Sequence, residues 1–158
     1  MSFFDPVEEA IYNKVTFSTR SLGARSRSTP MNVKAIDHIV LTVKDIDAIC
    51  AFYARVLGMS VITFAGDRRA LSFGAQKINL HQSGREFEPK AKKPTPGSAD
   101  LCFVTSMDVS DVVEHLRTCG VELLEGPVQR TGALGPIMSV YFRDPDGNLI
   151  EVSAYEGV

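Results

Sequence analysis

A pattern of strand, helix and three strands occurs twice in this chain, and a repeat of that kind limits the fold more than any single residue does. In the first copy, Ala35 to Val43 is rich in β-branched residues and alternates, with Ile39, Leu41 and Val43 on one face and His38, Val40 and Thr42 on the other. "KDIDAICAFYARVLG" follows, carrying Ile46, Ile49, Phe52, Tyr53 and Val56 at helical spacing; Asp45 suits its cap and Gly58 its stop. Ser60 to Phe64, Ala70 to Phe73 and "QKINLHQ" then read as three strands, the first two joined by the turn "GDRR". In the second copy "ADLCFVT" is the first strand, and "MDVSDVVEHLRTCG" is a helix capped near Asp108 or Ser110 and stopped by Gly120. "VELLEG" is the next strand, and "PIMSVYFR" and "NLIEVSAY" form a hairpin about "DPDG". The expected class is therefore α+β: two tandem βαβββ modules, about residues 35–82 and 99–156, forming a curved mixed sheet around a cavity. The segment Ser83 to Ser98, with three prolines and few aliphatic residues, is the loop that joins them.

A chain of 158 residues is the size of one ordinary domain and can build a core without disulfide or metal staples. The formal net charge of -2 gives no electrostatic case for nucleic acid or an anionic membrane. The longest uncharged run, Thr131 to Phe142, is shorter than a membrane span. Cys50, Cys102 and Cys119 are odd in number, lie in apolar segments and make no CxxC pattern, so all three are expected as buried free thiols in a reducing, cytoplasmic setting. Residues 1–33 differ in kind and are expected as a flexible tail before a domain spanning 34–156. From Ala10 to Lys34 there is no acidic residue, and Arg20, Arg25 and Arg27 alternate with Ser and Thr, as in part of a mitochondrial transit peptide. Asp5, Glu8 and Glu9 argue against that address.

Strand alternation sets a group of polar side chains apart. In "KINLHQ", Ile78 and Leu80 share the face that packs on a helix, which turns Asn79 and His81 to the opposite face along with His38. In the second module the same division groups Asp100 with Cys102 and Val104, and Glu151 with Leu149 and Ser153. The duplication aligns His38 with Asp100, and either Asn79 or His81 with Glu151. If the strands line one concave cavity, it holds two imidazoles and two carboxylates, the donors that Zn, Ni, Mn or Fe(II) accept. The bland alternative is a polar network, for example His38 paired with Glu151, and no metal.

The paired βαβββ order, "DHIVLTV" followed by the helix end "FYARVLGM", and "YFRDPDGNLIEV" near the C-terminus resemble the glyoxalase and vicinal-oxygen-chelate superfamily. The resemblance implies a divalent ion held by the first and last strands of each module. His38 matches the first such position and Glu151 the last. Asp100 stands where the family has His, Gln or Glu. The last strand of the first module offers Asn79 in the frame where glyoxalase I has Glu, with His81 two residues on. The implied metal set is His38, His81, Asp100 and Glu151. The implied reaction is that of a glyoxalase I-like lyase on a small carbonyl or a glutathione conjugate: the ion stabilises an enediolate, and Glu151 carries the proton between adjacent carbons. A homodimer is expected.

Two other functions fit the same residues. An Fe(II) ring-cleaving dioxygenase needs two histidines and a glutamate, with His81 standing in for the histidine that Asp100 replaces. A non-catalytic module of the same fold binds an apolar ligand and needs no metal. Candidates for gripping a substrate carboxylate are Arg68, Arg69, Arg85, Lys90, Lys92 and Lys93, although charged hairpins are usually solvated. Arg130, in "VQRTGALGP", is expected on a loop over the cavity, which Phe64, Phe73, Met107 and Tyr141 would line.

Overall fold

The computed structural model describes residues 30–155; the tail expected over 1–33 lies, for residues 1–29, outside the described residues. The elements run β1 (His38–Val43), α1 (Ile46–Leu57), β2 (Ser60–Phe64), β3 (Arg68–Phe73) and β4 (Gln76–Gln82). After the connecting loop come β5 (Asp100–Val104), α2 (Val109–Thr118), β6 (Glu125–Gly132), β7 (Gly135–Arg143) and β8 (Leu149–Tyr155). They form two four-stranded mixed sheets of the same topology, ordered β1-β4-β3-β2 and β5-β8-β7-β6. In each, the first strand pairs parallel with the last, while the remaining pairs are antiparallel.

Local chemistry fixes the helix ends. Asp45 accepts a hydrogen bond from the Ala48 amide at 3.0 Å, and Gly58 ends α1 in the left-handed conformation at φ 65. Each helix buries one stripe on one face of its sheet. Ile49, Cys50, Tyr53 and Val56 of α1 meet Leu41, Val43, Leu71, Ile78 and Leu80, while Val112 and Leu116 of α2 meet Val140, Phe142, Ile150 and Val152. At about 1.5–3 kcal/mol for each fully buried aliphatic side chain, these two stripes supply the main favourable contribution to folding. The core is continuous across both modules, through Phe52 and Phe142 with ring centroids 6.3 Å apart.

The "DPDGN" segment does more than reverse the chain. Asp144 Oδ1 accepts from the Asp146 and Asn148 amides, and Asp144 Oδ2 accepts from Asn148 Nδ2 and from the Tyr53 hydroxyl on α1. Asp146 Oδ2 accepts from the Lys44 amide at the end of β1, and Asn148 Oδ1 from the Ala99 amide at the start of β5. One tight turn thus ties both modules together.

Two expectations are corrected. The strand expected over "VELLEG" begins only at Glu125 and runs to Gly132, so Arg130 lies on a strand and not on a loop. Pro127 hid that strand, because proline breaks a ladder; here it sits at the register irregularity between Glu125 and Val128, on the sheet's edge, where no ladder amide is lost. The cysteines also differ from one another: Cys50 is buried, Cys119 half-buried, and Cys102 exposed. Cys102 is exposed because it occupies the face of β5 that no helix covers.

Candidate functional site

The strand registers decide which polar residues correspond. Val40 of β1 lies opposite Asn79 of β4, and Cys102 of β5 lies opposite Glu151 of β8. Both pairs are two residues beyond the start of their first strand, at His38 and Asp100. Asn79 is therefore the counterpart of Glu151, and His81, opposite Thr42, is the counterpart of Ser153, opposite Val104. The ambiguity between Asn79 and His81 ends there. Sequence alone could not resolve it, because the two residues share a face and differ only by one step of the pleat.

On the open face of the first sheet, His38 Nδ1 lies 2.7 Å from Asp37 Oδ1. That contact orients the imidazole and leaves Nε2 outward, the arrangement in which a carboxylate supports a ligating histidine. Burial and the neighbouring Arg68 guanidinium hold the His81 imidazole below its ordinary value. His81 is therefore neutral near pH 7, the state in which imidazole accepts a metal or a proton. Its ring stands edge-on to Phe87 of the connecting loop, centroids 5.5 Å apart. Asn79 Oδ1 is buried and, among the described residues, has no hydrogen-bond partner. An orphaned buried acceptor costs about 1–3 kcal/mol, and a bound cation or hydroxyl would offset it.

On the open face of the second sheet, Glu151 is embedded in donors. Ser153 Oγ donates to Glu151 Oε1 at 3.1 Å, and the hydroxyls of Ser139 and Ser153 lie 2.8 Å apart. Cys102 Sγ is 3.4 Å from Ser153 Oγ. Burial by itself raises the Glu151 carboxyl, but hydrogen bonds from Ser139, Tyr141, Ser153 and Cys102 outweigh it and hold the group below the ordinary glutamate value. The result is a fixed, ionised carboxylate. Tyr141 also accepts from Arg130 Nε at 3.2 Å, and Arg130 Nη2 donates to Glu125 at 2.7 Å. Ser139, Tyr141 and Ser153 were not singled out in the sequence as partners of Glu151, although the alternation of "NLIEVSAY" puts Ser153 on its face.

His38, His81, Asp100 and Glu151 do not converge within one chain: among the described residues, no three His, Cys, Asp or Glu side chains gather within reach of one ion. The first sheet presents His38, Asn79 and His81; the second presents Asp100 and Glu151. Phe64 and Tyr141 lie on these open faces, whereas Phe73 packs edge-on against Phe103 and lines, with Met107, a groove of about 720 Å³ at the module junction. No described helix is long and apolar enough to cross a membrane.

The profile of the Glyoxalase/Bleomycin resistance protein/Dioxygenase superfamily matches residues 35–152. The chain belongs to this superfamily. Among its superfamily relatives, "Virulence protein STM3117" of Salmonella typhimurium is 61% identical over 128 residues, covering 81% of this chain and 89% of the relative. The crystal structure of that protein covers 79% of this chain and 99% of its own, with a TM-score of 0.78. "Glyoxalase domain-containing protein RDO1" of Mycosarcoma maydis is 56% identical over 126 residues, covering 80% of this chain and 71% of the relative. A lactoylglutathione lyase structure from Agrobacterium tumefaciens, at 23% identity and a TM-score of 0.62 over 81% of this chain and all of its own, shares the superfamily fold.

Proposed function

We propose that this chain is a glyoxalase I-like, metal-dependent lyase or isomerase acting on a small carbonyl compound or a thiol conjugate of one. We further propose that its site is completed across a homodimer. The observation that carries both parts is the division of donors: each module presents half of a metal-type set on an uncovered sheet face. His38 Nε2 and the oxygen of Asn79 stand on one face, and the Glu151 carboxylate on the other, and among the described residues no group of three metal-type donors brings them together in one chain. A two-fold axis that sets the first sheet of one copy against the second sheet of its partner makes two identical sites and leaves neither half unmatched.

The residues present fit a divalent ion of the Zn, Ni, Mn or Fe class, with imidazole nitrogen and carboxylate oxygen as donors. His38, Asp100 and Glu151 are the residues that would hold it, with His81 or the oxygen of Asn79 as the further donor on the first sheet. When bound, such an ion supplies Lewis-acid polarisation of the substrate oxygens. The chain's own part is to fix Glu151 in one orientation through Ser139, Ser153 and Tyr141, so that the carboxylate lies ready to take a proton from one substrate carbon and return it to the next. Asp37 keeps His38 in one tautomer throughout.

The likeness to a lactoylglutathione lyase in fold supports the reaction class, and the glyoxalase domain in the name of the Mycosarcoma relative is consistent with it. Mass spectrometry of metal in the purified protein tests the reading. About one divalent ion per chain is expected, lost in His38→Ala and in Glu151→Ala, together with turnover of the methylglyoxal–glutathione adduct. A protein that takes up no ion after incubation with Zn, Ni, Mn and Fe(II) is a non-catalytic module of the same fold.

A further inference from the structure

One row of side chains crosses the open face of the second sheet. Glu125 of β6 lies opposite Tyr141 of β7, Tyr141 opposite Glu151 of β8, and Glu151 opposite Cys102 of β5. Tyr141 therefore stands between two carboxylates, one on each neighbouring strand. Its hydroxyl has a single proton and can satisfy only one of them. Arg130 sits further along β6, opposite Ile137, and turns back toward the row: its Nε donates to the Tyr141 oxygen at 3.2 Å, and its Nη2 to Glu125 Oε1 at 2.7 Å.

A β-bulge makes this contact possible. Between Val128, opposite Ser139, and Glu125, opposite Tyr141, β6 has one residue more than β7. Residues an odd number apart on an unbroken strand point to opposite faces, and the extra residue brings Glu125 back to the face of Arg130. The contact also has a direction. A guanidinium has donors and no acceptor, so Arg130 takes up a lone pair of the Tyr141 oxygen and leaves the phenol proton for a carboxylate. Because Arg130 occupies Glu125 as well, the acceptor that remains is Glu151, to which Tyr141 is hydrogen-bonded.

We infer that Arg130 is a positioning residue for Glu151, acting through Tyr141: it withdraws Glu125 from competition and turns the Tyr141 proton onto the Glu151 carboxylate. This rests on reading Glu151 as the ligand and proton carrier of the proposed lyase. Ser153 donates to Glu151 Oε1 from the same strand and Tyr141 approaches from the next, so the carboxylate is held from two directions. Arg130 itself touches neither ion nor substrate; its contribution is orientation. Partners one step behind a metal ligand are worth about 10–100-fold in metal affinity. An arginine that only paired with Glu125 on this edge strand would be a surface ion pair without consequence for Glu151.

Crystal structures of the full chain stripped of metal, and calorimetric titration of the same proteins with zinc, test this role. The variants are Arg130→Met, which removes the donors at similar length, Tyr141→Phe, and Arg130→Met combined with Glu125→Gln. In Arg130→Met the Tyr141 hydroxyl is expected to leave Glu151 for the freed Glu125 carboxylate; in the double variant, where that competitor is gone, it returns to Glu151. Zinc affinity is expected to weaken about tenfold or more in Arg130→Met and by a similar factor in Tyr141→Phe, and to recover to within about threefold of wild type in the double variant. Loss of an arginine that only supports the fold is not rescued by removing its ion-pair partner. A Tyr141 hydroxyl that stays on Glu151 in Arg130→Met, or a double variant as weak as Arg130→Met alone, overturns the inference. A protein that takes up no zinc removes the lyase reading, and the position of the hydroxyl in the metal-free crystals then decides the role of Arg130 by itself.

Discussion

The hydroxyl of Tyr53 donates to Asp144 Oδ2 at 3.1 Å, joining the first helix to a turn 91 residues away. Tyr53 is fully buried, Asp144 is 5% exposed, and Asn148 beside it is 2% exposed, so the contact lies inside the protein and water cannot replace it. Two substitutions separate its parts. Tyr53→Phe removes one donor from an acceptor that keeps the Asn148 amide, and is expected to cost about 1 kcal/mol. Asp144→Ala orphans the amides of Asp146 and Asn148 and the Tyr53 hydroxyl together, and is expected to cost about 3 kcal/mol or more. Urea unfolding of the two variants measures the difference; equal losses would show that the turn holds itself together without Asp144.

The same contact has a pH signature. Burial, and then the Asp144 carboxylate, push the Tyr53 phenol far above its ordinary value of 10.0. The folded protein therefore keeps a proton that the unfolded chain releases in alkali. Its stabilising share is complete below about pH 10 and declines above it, by about 1.4 kcal/mol for each further pH unit. Tyr53→Phe has no such proton. Urea midpoints compared between about pH 9 and 11 should fall more steeply for the wild type than for the variant, and parallel curves would contradict the burial of an intact phenol.

Gly126 carries a backbone requirement that joins fold to site. Its φ is +112, and a Cβ there would stand 2.5 Å from the Ser139 carbonyl oxygen and 2.8 Å from Val140 Cα. Both are backbone atoms of β7, which cannot swing aside as a side chain can. Gly126→Ala is expected to cost about 2–3 kcal/mol and to displace Ser139, loosening its hold on Glu151. Gly66→Ala is the control: φ is +72, but nothing lies within 4 Å, so only the conformational cost of about 1 kcal/mol remains. Thermal unfolding of both variants checks the order.

The duplication explains why much of this structure was legible in the sequence. Alternation in "KINLHQ" and "NLIEVSAY" assigns Asn79, His81 and Glu151 to uncovered faces without reference to any partner strand, because a pleat has a period of two. Asp45 and Gly58 mark the ends of the first helix by chemistry local to those residues. What stayed hidden depends on residues far apart. The pairing of Tyr53 with Asp144 needs the modules docked, and the correspondence of Asn79 with Glu151 needs a register that only hydrogen bonding between strands defines. The strand through Pro127 was missed because an edge bulge tolerates a proline that a central strand does not. Whether a cavity forms within one chain or between two was not legible, because strand alternation carries no information on how two sheets are placed.

Whether each site spans two chains can be read from mixed subunits. A preparation of His38→Ala and one of Glu151→Ala should each bind no ion. Unfolded together in equal amounts and refolded, half of the dimers contain one chain of each kind. In such a dimer one site has lost both His38 and Glu151, while the other keeps His38 from one chain and Glu151 from its partner. Half of the dimers, each with one intact site of two, restore about one quarter of the wild-type metal content and turnover. A site formed within one chain is defective in every chain of the mixture, and nothing returns. The split of the His38 face from the Glu151 face predicts recovery; a mixture as empty as its components would place the whole site in a single chain and remove the dimer from the mechanism.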